Sequence, residues 1–158
     1  MSITLTHKIC LALTIKQEQY FRKACGTARF TWNWALNEWQ NQSKSGLKPT
    51  AYWLKKQFNA LKLAQFPWTY EVTKYASQQP FIFLQTAFKR FFEGTSRYPK
   101  FKKKGHRDSF YVGNDQLKVN GNRLKLPKLS PLKMHEALLR VKLSVPRFLV
   151  PQINGSSV

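Results

Sequence analysis

The sequence predicts an α+β fold in which a helical lobe of about four helices is inserted between one N-terminal β-strand and a later group of short strands. Three observations predict it. Apolar residues alternate from Ser2 to Ile15, recur every third or fourth residue from Lys16 to Phe92, and fall into short β-like runs with hairpin punctuation after Gly105. Because connected α and β blocks share a core, the first strand is expected to pair with the later ones.

In the first strand Ile3, Leu5, His7, Ile9, Leu11 and Leu13 share one face and Lys8 lies on the other. From Lys16 the spacing of Phe21, Ala24, Ala28, Trp32, Ala35, Leu36 and Trp39 describes a long amphipathic helix that ends near Ser45-Gly46 and carries Arg22, Lys23 and Arg29 on its opposite face. That spacing makes Trp32 and Trp39 core residues. A second helix runs from Thr50, its N-cap, through Ala64, with Leu54, Phe58 and Leu61 as its stripe. After a break at Phe66-Pro67, Pro67 opens a third helix over Trp68 to Tyr75, and Ser77 caps a fourth in which Pro80 sits early enough to be tolerated. Phe81, Leu84, Phe88 and Phe91 or Phe92 form the apolar side of that last helix. Strands are expected at Ser109 to Val112, Gln116 to Val119 and Arg123 to Leu126, with Asn120-Gly121 turning the final pair. There is no internal repeat.

The chain carries 27 Lys and Arg against 7 Asp and Glu, a formal charge of +20 at pH 7. At 42% hydrophobic and 15% aromatic it also has the material for a core, so the charge does not signal disorder. A folded, aromatic-rich and strongly cationic protein is built to meet a polyanion, and no small-molecule substrate is expected. Nucleic acid rather than a membrane is the expected partner, because no stretch approaches the roughly 20 apolar residues that span a bilayer. The run Ile9 to Ile15 is too short, follows a lone Lys and lacks a small-x-small cleavage site, which points to a cytoplasmic protein. Cys10 and Cys25 cannot make a disulfide framework or close a zinc site unaided.

Chemistry-bearing residues are sparse. His7, His106 and His135 are scattered, and Glu18, Glu38, Glu71, Glu93, Asp108, Asp115 and Glu136 are isolated, so no residue is expected to be catalytic or to bind a metal. Cys25 reads as core packing. The basic run is the exception: Lys89, Arg90, Arg97, Lys100, Lys102, Lys103, Lys104 and Arg107 suit contact with a nucleic-acid backbone, which needs charge rather than precise geometry. Tyr98 and Phe101 within it could anchor the run to the fold or stack on bases. Lys74 and Gln78, four residues apart, share a helical face if the helix runs through Ser77, and flank a tight turn if it does not. Both residue types can read base edges or phosphates.

These residues also carry a resemblance. KACGTARFTWNWALNEW, ending at Trp39, with its Gly26, Arg29, Trp34 and Asn37; FPWTYEVTKYASQQ at 66–79; AFKRFF at 87–92; YPKFKKKGHRDSF at 98–110; and LPKL at 126–129 stand in the order found in one family. From residue 1 to about Glu136 the chain resembles the N-terminal half of TnpB (OrfB) proteins, transposon-encoded RNA-guided nucleases related to type V CRISPR effectors, whose first part is described as a helix-turn-helix domain. The resemblance implies a partial, barrel-like wedge β domain whose first strand is 1–15, a helical recognition lobe at 16–95, a basic arm at 96–108 and return strands at 109–137. It implies two partners, a guide RNA and a DNA carrying a short transposon-adjacent motif. By motif position Lys74, Tyr75 and Gln78, with Asn114 from the β lobe, look like the motif-reading residues, and Lys102, Lys103 and Lys104 resemble the backbone-contacting arm.

Members of the family continue into a RuvC-like nuclease domain with an acidic triad, divalent metal and usually a zinc ribbon. Neither pattern stands in these residues, so the expectation is a truncated, DNA- and RNA-binding chain with no cofactor and no cleavage of its own. A stand-alone, repressor-like regulator and a non-functional remnant are the alternatives. The departure begins near Leu138, where the family has a strand like SATVSRTADxW and this chain has LRVKLSVPRFLVPQINGSSV. With permitted third bases from Arg140 to Val158, the frame starting at each third base can read GEIISATVSRTADQWFIS, which makes 138–158 an out-of-frame, irregular tail. Sequencing the locus from the Met134 codon past the stop is expected to show that strand, followed by RuvC-type acids, in a shifted frame. A locus without such a continuation would make the short form the gene's intended product.

Overall fold

A computed structural model describes residues 8–136 and 147–149 of the chain. Strand β1 is Leu11–Ala12, and helix α1, Ile15–Lys44, follows it almost at once. Thr14 explains why the strand stops short of Ile15. Its hydroxyl accepts the Gln17 N–H at 3.3 Å while the Gln17 side chain accepts the Thr14 N–H at 2.9 Å, a reciprocal cap that commits 14–17 to a helix start. Leu13, expected on the buried strand face, is consequently exposed. The part of the predicted strand at 2–7 lies outside the described residues.

Helix α2, Ala51–Gln65, starts where its N-cap predicts, with the Thr50 hydroxyl accepting the Trp53 N–H. The expected third helix is a single 3₁₀ turn, Pro67–Glu71. Val72 and Thr73 are extended or cap-like, so Tyr75 belongs to the next helix, α3, Lys74–Phe92. Thr73, not Ser77, is the N-cap of α3; Ser77 lies inside the first turns. From Ile15 to Phe92 there are therefore three α-helices and a 3₁₀ turn in place of about four helices. Pro80 is tolerated in α3, buried against the bundle. No helix among the described residues is long and apolar enough to cross a membrane.

Two cores share one helix. The first half of α1 contributes Tyr20, Phe21, Ala24, Cys25 and Ala28 to a cluster closed by Phe110, Val112, Leu124, Leu126, Leu132 and Met134 of the β lobe. Its second half contributes Trp32, Ala35, Leu36 and Trp39 to a cluster with Leu54 and Phe58 of α2 and Phe81, Leu84 and Phe88 of α3. Aromatic contacts dominate this second core; Trp39 stacks on Phe88 at 4.3 Å, and Trp34 meets Phe58 edge-on at 5.1 Å.

After the helices come β2, Ser109–Tyr111; a 3₁₀ turn, Asn114–Gln116; β3, Lys118–Asn120; β4, Arg123–Lys125; and β5, Leu132–Met134. Strand β3 is shorter than expected because Asn114–Gln116 coils before it. An antiparallel sheet runs in the order β1-β5-β4-β3, so the first strand does pair with the later ones, Leu11 facing Met134. Asn120 faces Arg123, leaving Gly121 and Asn122 as a two-residue loop. Gly121 alone has positive φ, 58°, the mark of a type II′ turn, which needs glycine at that place. Strand β5 had no signal of its own, being three residues long with Leu132 and Met134 buried around an exposed Lys133. The irregular-tail expectation for 138–158 lies outside the described residues except at β6, Arg147–Leu149, whose backbone pairs antiparallel with β2.

One hydroxyl ties the lobes together. Tyr20 of α1 accepts the buried Thr73 N–H at 2.9 Å, just before α3, and donates to the Pro127 carbonyl beyond β4 at 3.0 Å. Tyr20→Phe strands both partners and is expected to cost about 1–3 kcal/mol in chemical or thermal unfolding. Burial pushes the phenol above its ordinary 10.0, outweighing the Thr73 hydrogen bond that lowers it. The folded chain thus keeps a proton that the unfolded chain loses, so this contribution is full below a pH of about 10 and drains away as pH rises past it. The free energy of unfolding of the wild type, followed across that window, is expected to fall more steeply than that of Tyr20→Phe.

The two thiols differ as sharply. Cys25 is buried, and burial, with a smaller push from Asp108 and an opposing pull from Arg29, moves its thiol up to about 12. Cys10 is exposed. A thiol reagent at about pH 8 is expected to label Cys10 in the native protein and Cys25 only after denaturation.

Candidate nucleic-acid interface

The N-terminal turn of α3 and the 3₁₀ turn Asn114–Gln116 are bound to each other. Thr73 donates its hydroxyl proton to Gln116 Oε1 at 2.7 Å. One residue on, Lys74 Nζ lies 3.5 Å from Asp115 Oδ2, and the Tyr75 hydroxyl donates to Asp115 Oδ1. Lys74 Nζ also sits 5.2 Å from the centre of the Tyr75 ring. The ring lies directly on the backbone of Gly113, where a Cβ would come within 2.3 Å of Cζ, so close approach is what requires glycine there. Tyr111 closes the edge of the ring at 5.6 Å.

These contacts explain the titration of the cluster. The Tyr75 phenol is pushed up to about 12, chiefly by the proton it gives to Asp115. The Asp115 carboxyl is held below its ordinary value, first by that hydrogen bond and, against an opposing burial effect, also by Lys74. At neutral pH the Tyr75 phenol is therefore neutral and donates to the Asp115 carboxylate, with Lys74 beside it.

The structure brings Lys74, Tyr75 and Asn114 to one place, the last through its neighbour Asp115. Gln78 lies one turn along α3 from Lys74, and because the helix is continuous through Ser77 the two share a face. Asp115, Gly113 and Thr73 complete the site and went unrecognised in the sequence. Their contacts span about forty residues, and nothing local marks them.

From Tyr75 a groove of about 450 Å³ runs between α1, α3 and β2, lined among others by Trp32, Phe83, Tyr111, Arg90 and Lys102. Its lining residues on α3 run from Tyr75 to Arg90. Aromatic and aliphatic side chains line it, with Arg90 and Lys102 as its cations.

The basic arm is held by its backbone. Trp32 Nε1 donates to the Lys100 carbonyl at 2.9 Å; the Asn33 amide donates to the Lys102 carbonyl at 3.0 Å and accepts the Lys102 N–H at 2.8 Å. Arg29 pairs with Asp108 at 2.8 Å, and the other Asp108 oxygen accepts the Gly105 N–H. Tyr98 meets Phe88 and Phe91 edge-on, so of the two uses open to it the structure shows the anchoring one, while Phe101 is half exposed. Pinned in this way, the arm presents Lys100, Lys103, Lys104 and Arg107 outward, and Lys102 lies across the Trp32 ring at 4.3 Å. Trp32 is thus both core and arm-holder. Lys89, near Glu93 at 3.9 Å, and Arg90 end α3, and Arg97 is exposed in the turn that follows.

Among the described residues, no three His, Cys, Asp or Glu side chains gather as metal ligands. Several acids serve contacts within the protein: Asp108 with the arm, Asp115 with Lys74 and Tyr75, Glu71 with Lys23. They do not fit the metal-dependent chemistry that the resemblance implies for longer family members, and no catalytic step is assigned to them.

Comparison with known proteins bears on this geometry. Residues 1–48 match a helix-turn-helix domain family of IS605 OrfB proteins. Within that stretch the described residues form β1 and the single long α1, so the first turn of α3 lies beyond the matched domain. A protein of Escherichia coli (strain K12), InsQ, named as an RNA-guided DNA endonuclease, is 32% identical over 120 residues, covering 72% of this chain. The chain spans 29% of that relative's length. The ordered motifs, the matched domain and this alignment agree, and the chain is similar over most of its length to proteins of the TnpB/OrfB family.

Proposed function

We propose that this chain binds nucleic acid, reading a short DNA motif with the first turn of α3 and the Asn114–Gln116 turn and holding phosphate backbones, of the DNA and of a guide RNA, with its arm. The observation that carries the reading is the joining of Lys74 and Tyr75 to Asp115. Residues from two lobes are fixed at one point, each oriented before any ligand arrives. Lys74 supplies a charged donor, and the amides of Gln78 and Asn114 supply the donor–acceptor pairs that match an adenine edge. Asp115 steadies the lysine and, as an acceptor, keeps a phosphate from settling at that point.

The arm does different work. Its exposed lysines answer phosphate charge without reading sequence, and their contribution grows from released counterions. InsQ, the relative, is named as a nuclease; the part assigned to the residues of this chain is binding, with no cleavage.

Selection of duplexes from a randomised pool, followed by titrations, tests the reading. Lys74→Ala and Gln78→Ala are expected to reduce discrimination between preferred and random duplexes by about 1–3 kcal/mol each while changing non-specific affinity less. Equal loss on every sequence would make them backbone contacts. Replacing Lys103 and Lys104 together with Ala is expected to weaken all sequences alike and to reduce the salt slope by about one per lysine. Affinity that holds steady as salt rises from about 50 to 200 mM would remove the electrostatic basis of the proposal.

A further inference from the structure

Lys62 is buried at 6% exposure in the last turn of α2, yet it pairs with no carboxylate among the described residues. Its Nζ donates to Ser77 Oγ at 2.9 Å and lies 4.6 Å from the centre of the Tyr70 ring. Ser77 Oγ in turn donates to the Lys74 carbonyl at 3.2 Å. The nearby charge is another cation, Lys128, which donates to the Tyr70 carbonyl from a left-handed backbone at φ 60°.

Such an arrangement is costly as pure architecture. Burial, reinforced by Lys128, holds the Lys62 ammonium below its ordinary pKa. The N-terminus of α3, with its partial positive charge, is a further unfavourable neighbour. A methionine would fill the same space at no charge cost. What the lysine supplies and a methionine cannot is a donor that runs through Ser77 to the Lys74 carbonyl, the acceptor on which the Gln78 N–H closes its helical turn.

We infer that Lys62 is a positioning residue for motif readout, holding the first turn of α3 through Ser77 so that Lys74 and Gln78 keep a fixed relation to each other. The inference rests on the reading proposed above for those two residues. Lys62 touches no ligand; it acts from behind the reading face, across the junction of α2, the Pro67–Glu71 turn and α3.

The test compares unfolding and the ratio of specific to non-specific binding in the full chain. Lys62→Met is expected to unfold at the same or a higher temperature than wild type, while its ratio falls by about threefold to tenfold, the worth of one hydrogen bond. Ser77→Ala, which breaks the link and leaves the lysine in place, is expected to lose the same ratio, and Ser77→Thr, which keeps the hydroxyl, to retain it. A Lys62→Met protein that unfolds earlier but discriminates like wild type would overturn the inference and make the lysine structural. Ser77→Ala with an unchanged ratio overturns it as well, even where Lys62→Met does not fold. A wild-type chain that shows no discrimination removes the underlying reading, and the inference with it; discrimination retained in every variant removes the inference alone.

Discussion

Helix α1 has to bury its apolar side twice, against the sheet over its first half and against α2 and α3 over its second. Thirty residues make it about 45 Å long, enough to serve two cores that do not merge. Each other element is placed by which half it covers. The sheet closes over Phe21 and Cys25, the helical hairpin closes over Leu36 and Trp39, and the segment between them, Pro67 to Thr73, crosses from one core to the other. Tyr20 and Gln17 add polar ties at the sheet end, Trp32 and Asn33 at the arm, so the helix also fixes the start of α3 and the arm.

Periodicity was enough to find the long helices, because Phe21, Ala24, Ala28 and Trp32 or Leu54 and Phe58 repeat a pattern that only one conformation can bury. Gly121 likewise announced its turn, since a positive φ leaves little choice of residue. Where two local signals competed, the sequence did not say which would win. Thr14 and Gln17 form a cap inside the alternating pattern, and the cap prevails; Ser77, expected to cap the last helix, is buried against Lys62 while Thr73 caps it instead. Strand β5 and the acids at 108 and 115 were illegible for another reason. Their partners, Leu11, Arg29, Lys74 and Tyr75, are brought to them only by the completed fold.

Charge is distributed with little regard for internal pairing. Across the sheet Lys118 faces Lys125 and Arg123 faces Lys133, directly opposed like charges that cost rather than contribute stability. The few ion pairs present are mostly exposed and worth little. The half-buried pair of Arg29 and Asp108 is the exception, and it secures the arm. A fold arranged in this way is held by its aromatic cores and tolerates repulsion at its surface, which is the condition under which an approaching polyanion meets unspent positive potential.

The attachment of the arm has one more consequence. Asn33 grips the arm thirteen residues along α1 from Tyr20, whose hydroxyl holds the residue before α3, and a rigid helix makes that offset about 20 Å. In units of a nucleic-acid strand this is about six steps of 3.4 Å. Under the proposed function α1 is therefore a ruler: it sets the phasing between the bases that are read and the phosphates that are merely held, so that the molecule measures a length as well as a sequence.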